Sequence, residues 1–290
     1  MKGLDEVFHK KRILLTGHTG FKGSWLSVIL SMLGAEVYGY SLDAEGADSL
    51  YSIIRGGNII HSETGDIRDV EHLKNYFQQV QPEYVFHLAA QPIVRESYRN
   101  PHYTYETNVM GTVNVCECIR ECSSVKSFLN VTTDKVYQNH EWEWGYRETD
   151  PLDGYDPYSN SKSCSELVTH SYNASFLKGR GVAVSTARAG NVIGGGDFAA
   201  DRIIPDCVRA ALNKNEIVLR NPYSVRPFQH VLEPLFAYLL IAARQAENID
   251  LAGSYNVGPD ESDCVTVQQL TKYFCDAWGE GVSWIVQGDG

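Results

Sequence analysis

The sequence lacks what several large classes of protein require. It has no excess of basic residues: 25 lysines and arginines stand against 36 aspartates and glutamates, a formal net charge of −11. The field that draws a chain non-specifically onto nucleic acid therefore has the wrong sign, and any anionic ligand must be held by local arginines. Long apolar runs are missing too. The longest, Leu235–Ala243, is less than half of the roughly 20 residues that a membrane span needs. The opening Met1-Lys2-Gly3-Leu4-Asp5-Glu6 has no apolar centre, so it does not read as a secretory leader. The seven cysteines are odd in number and include no Cys-x-x-Cys pair. Cys116, Cys118 and Cys122 fall in one helical stretch, where small packed thiols are ordinary occupants. Reduced thiols, a cytoplasmic address and no metal site are the expectation. Neither repeats nor low-complexity segments nor long linkers interrupt the 290 residues, a length sufficient for two packed lobes.

What is present is an alternation of two periods. Arg12–Thr16 is a short buried-strand pattern, Ser24–Leu33 a helix, and Ala35–Tyr40 a second strand. Asn58–Glu63 reads as a third strand, Val70–Val80 as a helix and Tyr84–Leu88 as a fourth strand. A long helix over Thr104–Cys122, a strand over Ser127–Thr132, a helix over Tyr158–Lys178 and a strand over Val182–Ala187 follow. Such alternation predicts a parallel sheet covered on both faces, a Rossmann-like doubly wound α/β fold. After Arg188 the pattern loosens, with Gly194-Gly195-Gly196, Asn221-Pro222 and Gly258-Pro259 punctuating shorter elements. Residues 1–188 are read as a dinucleotide-binding domain and 189–290 as a smaller α/β substrate lobe set across the carboxyl ends of the strands.

The first strand runs directly into Gly17-His18-Thr19-Gly20-Phe21-Lys22-Gly23, spaced G-x-x-G-x-x-G at a strand-to-helix turn. There, backbone N–H groups and a helix N-terminus face a pyrophosphate. Asp43, just after the second strand, suits the adenosine ribose hydroxyls and repels a 2′-phosphate, which favours NAD over NADP. Asp66, in Gly65-Asp66-Ile67-Arg68-Asp69, is placed either to meet the adenine or to cap a helix. His87-Leu88-Ala89-Ala90-Gln91 closes the fourth strand with small residues that let a cofactor approach the backbone. Tyr158 and Lys162 are four apart and share a helix face. A free phenol titrates near ~10, and a neighbouring ammonium shifts it toward the phenolate that a base requires. Thr133 ends the fifth strand, where its hydroxyl can bind the substrate oxygen that Tyr158 deprotonates, and Asp134 and Lys135 open the loop beyond. Trp142 and Trp144 are expected to pack that loop.

Together these strings resemble the extended short-chain dehydrogenases/reductases, and within them the nucleotide-sugar 4,6-dehydratases. The resemblance covers essentially the whole chain. It extends to Trp144-Gly145-Tyr146-Arg147-Glu148, Ala187–Asp197, Asp201–Asp206 and Arg226–Pro234. It implies catalytic positions at Thr133, Asp134, Lys135, Tyr158 and Lys162. For NAD it implies Gly17, Thr19, Gly20, Phe21, Lys22, Gly23, Asp43, Asp66, Ile67, Leu88, Ala89, Ala90, Gln91 and Thr132, with Tyr158 and Lys162. Asn191, Arg202, Arg220, Arg226 and His230 would face the nucleotide diphosphate, for which arginine's planar fork is suited.

Sister enzymes acting on dTDP-glucose carry Asp-Glu at the place of Asp134-Lys135, and lysine there marks the CDP-glucose group. The implied reaction oxidises C4, eliminates water across C5–C6 and returns the hydride to C6. Asp134 would be the acid toward the C6 hydroxyl. The C5 base stays open among Lys135 held neutral by burial, a water and Tyr158. A 4-epimerase would share the glycine turn, Tyr158 and Lys162 without needing Asp134-Lys135. The same strings would also suit a dehydratase acting on a sugar linked to another base, or a non-catalytic NAD-binding protein. Relatives continue past the point matching Gly290, so the substrate lobe is expected to be incomplete at its C-terminus. The resemblance implies a homodimer or homotetramer, in which the long helices Thr104–Cys122 and Tyr158–Lys178 would pair across a two-fold axis as in the family's dimers.

Overall fold

In the computed structural model, residues 3–44 and 46–287 are described. Met1-Lys2 of the opening segment and the closing Gly288-Asp289-Gly290 lie outside them. The chain divides into two compact units, one running to Ala189 and resuming over Leu232–Val257, the other formed by Gly190–Val231 and the chain from Gly258 onward.

The first unit is built on seven parallel strands: β1 (Arg12–Thr16), β2 (Glu36–Ser41), β3 (His61–Thr64), β4 (Tyr84–His87), β5 (Ser127–Thr133), β6 (Ala183–Ala189) and β7 (Ser254–Val257). Their order is β7-β6-β5-β4-β1-β2-β3. The order reverses beside β1, which pairs with β2 on one side and β4 on the other, and such a switch point is where open α/β sheets bind ligands. The helices that matter to the site are α1 (Phe21–Met32), α2 (Val70–Val80), α3 (Gly111–Glu121), α4 (Pro157–Tyr172) and α5 (Leu232–Glu247). The doubly wound parallel architecture expected from the alternation is the one found.

α2 has the bounds that its apolar spacing predicts; Leu73, Tyr76, Phe77 and Val80 are its buried face, and the Asp69 carboxylate caps its first turn by accepting from the His72 N–H. The long helix expected over Thr104–Cys122 is found as an unbroken helical stretch from Pro101 to Glu121, a helix at Pro101–Tyr105 passing through a π turn at Glu106–Met110 into α3. A short helix at Val94–Arg99 has no counterpart among the expected elements. The second lobe, expected to run unbroken from residue 189, is interrupted: Leu232–Val257 returns to the first unit for two reasons. α5 buries Leu235, Tyr238, Leu239, Ala242 and Ala243, and Ser254–Val257 extends the sheet beside β6.

The second unit is smaller. A helix at Ile203–Leu212 contributes Cys207 to a core with Ile217 and Leu219, and Phe274 and Cys275 from a helix at Val267–Trp278 pack against it. Three two-stranded pairings complete it, with Gln229–His230 on Val192–Ile193, Val225–Arg226 on Val265–Thr266 and Trp284–Val286 on Ile217–Leu219.

Candidate active site

The glycine turn is closed by its own backbone. Gly17 has a positive φ of 75°, and a Cβ there would lie 2.7 Å from the Ala89 nitrogen. A Cβ on Gly23 would strike the Gly17 carbonyl at 2.1 Å. At Gly20, by contrast, the nearest atom to a Cβ is 3.4 Å away. Two glycines thus let β1, β4 and α1 approach, and the third, where a Cβ would make only an ordinary contact, stands at the N-terminus of α1 and provides no side-chain cap. The N–H groups of the first turn have no side-chain cap, and the turn fits a dinucleotide pyrophosphate.

Around it the expected residues are arranged as follows. The Thr19 hydroxyl is 2.8 Å from that of Ser41 and donates to the Leu42 carbonyl. Asp43 accepts from the Thr64 hydroxyl at 2.9 Å, which orients its carboxylate at the end of β2. Asp66 does not cap α2; its carboxylate takes the Arg68 N–H and guanidinium, and burial opposes while these bonds lower its pKa. Ile67 is buried in the apolar core. Gln91 is fixed by Thr104 through its amide and by Asn108 at its backbone. Thr132 donates to Glu166, so its hydroxyl is committed to the protein interior.

β5 brings Thr133, Asp134 and Lys135 to its carboxyl end. Thr133, its last residue, is buried and donates to Asp134 at 3.0 Å. A 3₁₀ turn over Asp134–Val136 follows, with the Lys135 N–H 3.4 Å from the Thr133 hydroxyl. Asp134 is half-buried and Lys135 exposed. The burial expected at Lys135 is therefore not found.

α4 begins with an Asp156 side-chain cap and Pro157 in its first turn, a start signal in which the cap satisfies an otherwise unpaired N–H and proline needs none. Tyr158 sits in that turn, its N–H donating to Ser97 at 3.1 Å. One turn on, the buried Lys162 ammonium donates to the Val131 carbonyl of β5 at 3.0 Å. Burial lowers Lys162 to about 8, and the Glu166 carboxylate opposes the fall. His87, at the end of β4, is held neutral by burial and then by the Lys162 charge, its pKa lowered to about 3.

A buried network behind these groups has little signal in the sequence. Arg188 of β6 forms a two-pronged pair with Glu166, Nε to Oε1 at 3.0 Å and Nη2 to Oε2 at 2.9 Å. Thr132 and Thr186 donate to the same carboxylate. The remaining arm of Arg188 donates to the Tyr137 hydroxyl at 2.8 Å and to the Glu148 carbonyl at 3.0 Å. Tyr137 in turn donates to Asn256 of β7. The pair ties α4, β5, β6 and the loop after Asp134 into one piece. Its one sequence signal is Glu166, four residues past Lys162 on the same helix face. On that loop the Trp142 ring lies tilted against Trp144 at 5.8 Å and against Tyr146 at 5.2 Å, although Trp144 remains 65% exposed.

The five residues expected at the diphosphate all lie in the second unit. Arg202 pairs with Asp197 at 2.8 Å. Arg220, Arg226 and His230 are exposed, with Arg226 donating to the Val225 carbonyl. The Asn191 carbonyl accepts from the Gln229 N–H, which sets the Val192–Ile193 pairing.

Comparison with known proteins bears on the family and the fold. A family model described as GDP-mannose 4,6 dehydratase matches residues 14–272. A curated CDP-glucose 4,6-dehydratase from Salmonella typhimurium is 49% identical over 293 aligned positions, which cover 99% of this chain and 82% of that protein. A dTDP-D-glucose 4,6-dehydratase from Dictyostelium discoideum is 27% identical, covering 90% of this chain and 61% of that protein. Among solved structures, a Thermus thermophilus UDP-glucose 4-epimerase in complex with NAD superposes with a TM-score of 0.80 at 26% identity, over 95% of this chain and 85% of that one. A Streptomyces venezuelae dTDP-glucose 4,6-dehydratase, at 24% identity and a TM-score of 0.78 over 96% of this chain and 85% of that one, shares the fold. With a glycine turn that fits a dinucleotide, Tyr158 and Lys162 on one helix face and a family match spanning most of its length, the chain belongs to the GDP-mannose 4,6-dehydratase family of extended short-chain dehydrogenases/reductases.

Proposed function

We propose that the protein is a lyase that converts CDP-D-glucose to CDP-4-dehydro-6-deoxy-D-glucose and water. The observation that carries this reading is the near-full-length identity of 49% to a CDP-glucose 4,6-dehydratase, with Asp134 and Lys135 on the turn that follows Thr133. The glycine turn would hold NAD, which would supply the oxidant for C4 and the hydride returned to C6. Tyr158 removes the C4 hydroxyl proton as the hydride leaves, and Thr133 hydrogen-bonds the same oxygen. Lys162 favours the Tyr158 phenolate through its charge. The new ketone acidifies C5–H. Water reaching the turn beside the exposed Lys135 takes the C5 proton, and the Lys135 side chain steadies the enolate. Asp134, protonated, gives its proton to the departing C6 hydroxyl. Return of hydride to C6 and of a proton to C5 leaves a net loss of one water and no net reduction of the cofactor.

Asn191, Arg202, Arg220, Arg226 and His230 hold the nucleotide diphosphate in this reading, and Asp43 selects NAD over NADP. We place the enzyme in the cytoplasm; no described helix is long and apolar enough to cross a membrane. Exposed Met110, Leu167 and Phe176 support a homodimer or homotetramer paired through these helices. Incubation with CDP-glucose should give a product lighter by one water with no accumulated NADH. Equal turnover of dTDP-, UDP- or GDP-glucose would reject the CDP assignment, and C4 inversion without loss of water would make the protein an epimerase.

A further inference from the structure

Tyr238 is a fully buried phenol on α5, in a position where phenylalanine would supply the same packing. Buried tyrosine hydroxyls find partners, and this one lies 3.4 Å from the Lys22 ammonium. The same ammonium lies 5.8 Å from the centre of the Tyr238 ring, a cation–π distance. Lys22 is the second residue of α1, within the glycine turn and next to Gly23. Burial, and then the charges of Tyr158 and Asp134, raise the Tyr238 pKa. The phenol therefore stays neutral and accepts from Lys22, and it lies within electrostatic reach of the two groups that act on C4 and C6. Lys22 stands on the pyrophosphate turn at the start of α1 and its phenol partner lies within electrostatic reach of Tyr158, so a cofactor that runs from that turn to a hydride acceptor beside Tyr158 passes the Lys22 ammonium.

We propose that Tyr238 is a positioning residue that holds the Lys22 ammonium beside the hydride-transfer site, so that the protein binds the neutral, reduced nicotinamide in preference to the cationic, oxidised one. This rests on the NAD reading above. A fixed cation repels the positive ring of NAD⁺ and is indifferent to the neutral ring of NADH. At separations of several ångströms in a partly buried site the difference amounts to about tenfold in affinity. A lysine serving only the pyrophosphate would strengthen both forms alike, because both carry the same diphosphate. The buried Lys162 adds a constant background to every variant.

The test is displacement of NADH by NAD⁺ from the full chain, read by NADH fluorescence, with thermal midpoints to check folding. The ratio of the NAD⁺ to the NADH dissociation constant should fall about tenfold in Lys22→Met and about threefold in Tyr238→Phe. The double variant should match Lys22→Met, and Lys22→Arg should keep the wild-type preference. Equal weakening of both forms in Lys22→Met overturns the proposal, and that half-buried position keeps the test open should Tyr238→Phe fail to fold. A Tyr238→Phe effect that multiplies with Lys22→Met overturns it too. Wild-type protein that binds neither form refutes the cofactor reading, and the proposal falls with it.

Discussion

Helices α2 and α4 cover the same parallel sheet and bury opposite chemistries. α2 buries Leu73, Tyr76, Phe77 and Val80, whereas α4 buries Ser159, Ser161, Lys162, Ser163, Ser165, Glu166 and Thr169. The first contributes non-directional burial, about 1.5 to 3 kcal/mol for each large side chain. The second contributes hydrogen bonds worth about 1 kcal/mol net apiece but directional, and costly to leave half-made. Asn130 bridges Ser165 and Thr169, Asn108 holds Ser161, and Thr112 meets Ser165. The apolar half of the sheet mainly makes the domain stable, and the polar half fixes the helix that carries Tyr158 and Lys162.

This contrast can be broken from either side. The largest effect is expected from Tyr158→Phe, which removes the proton acceptor while leaving its backbone bond to Ser97: kcat for product formation should fall about 10³-fold with little change in the urea midpoint. Glu166→Gln leaves the Arg188 guanidinium buried with half a partner, and urea unfolding should register a loss of about 3 to 5 kcal/mol together with lower activity. In the apolar half, Leu73→Ala should cost about 2 to 4 kcal/mol with kcat kept within about twofold; a large drop in kcat there would erase the distinction between the halves.

A finer separation comes from pH. Lys162 is an ammonium below about 8 and neutral above it, so kcat should fall as pH rises through that value. His87 stays neutral throughout this range and adds nothing to the limb. Because the Glu166 charge raises Lys162, the limb should move to lower pH by about one unit in Glu166→Gln. An unmoved limb would assign it to another group. The smallest effect is expected from Trp144→Ala, since that ring is largely exposed; stability should stay within about 0.5 kcal/mol.

The legibility of the sequence follows the same division. α2 is read to the residue because its apolar spacing is strong and capped. α4 has no such stripe, and it is found only through Tyr158 and Lys162. β7 is missed because Ser-Tyr-Asn-Val has no apolar run and joins the sheet at its edge. The catalytic strings are local, each contained in a strand end or one helical turn, and so can be read. The network that braces them cannot: Arg188 reaches 22 residues back to Glu166 and 51 back to Tyr137, and Tyr137 reaches 119 forward to Asn256.

By itself, then, the sequence determined the alternation that makes a parallel doubly wound sheet, the glycine turn, and the Tyr158–Lys162 pair, since each depends on backbone periodicity and spacings of a few residues. Only the tertiary structure decided that Lys135 is exposed, that Thr132 serves Glu166, and that Tyr238 meets Lys22 from 216 residues away. Burial and hydrogen-bond partnership are properties of surfaces brought together by folding, and no local pattern encodes which distant side chain arrives.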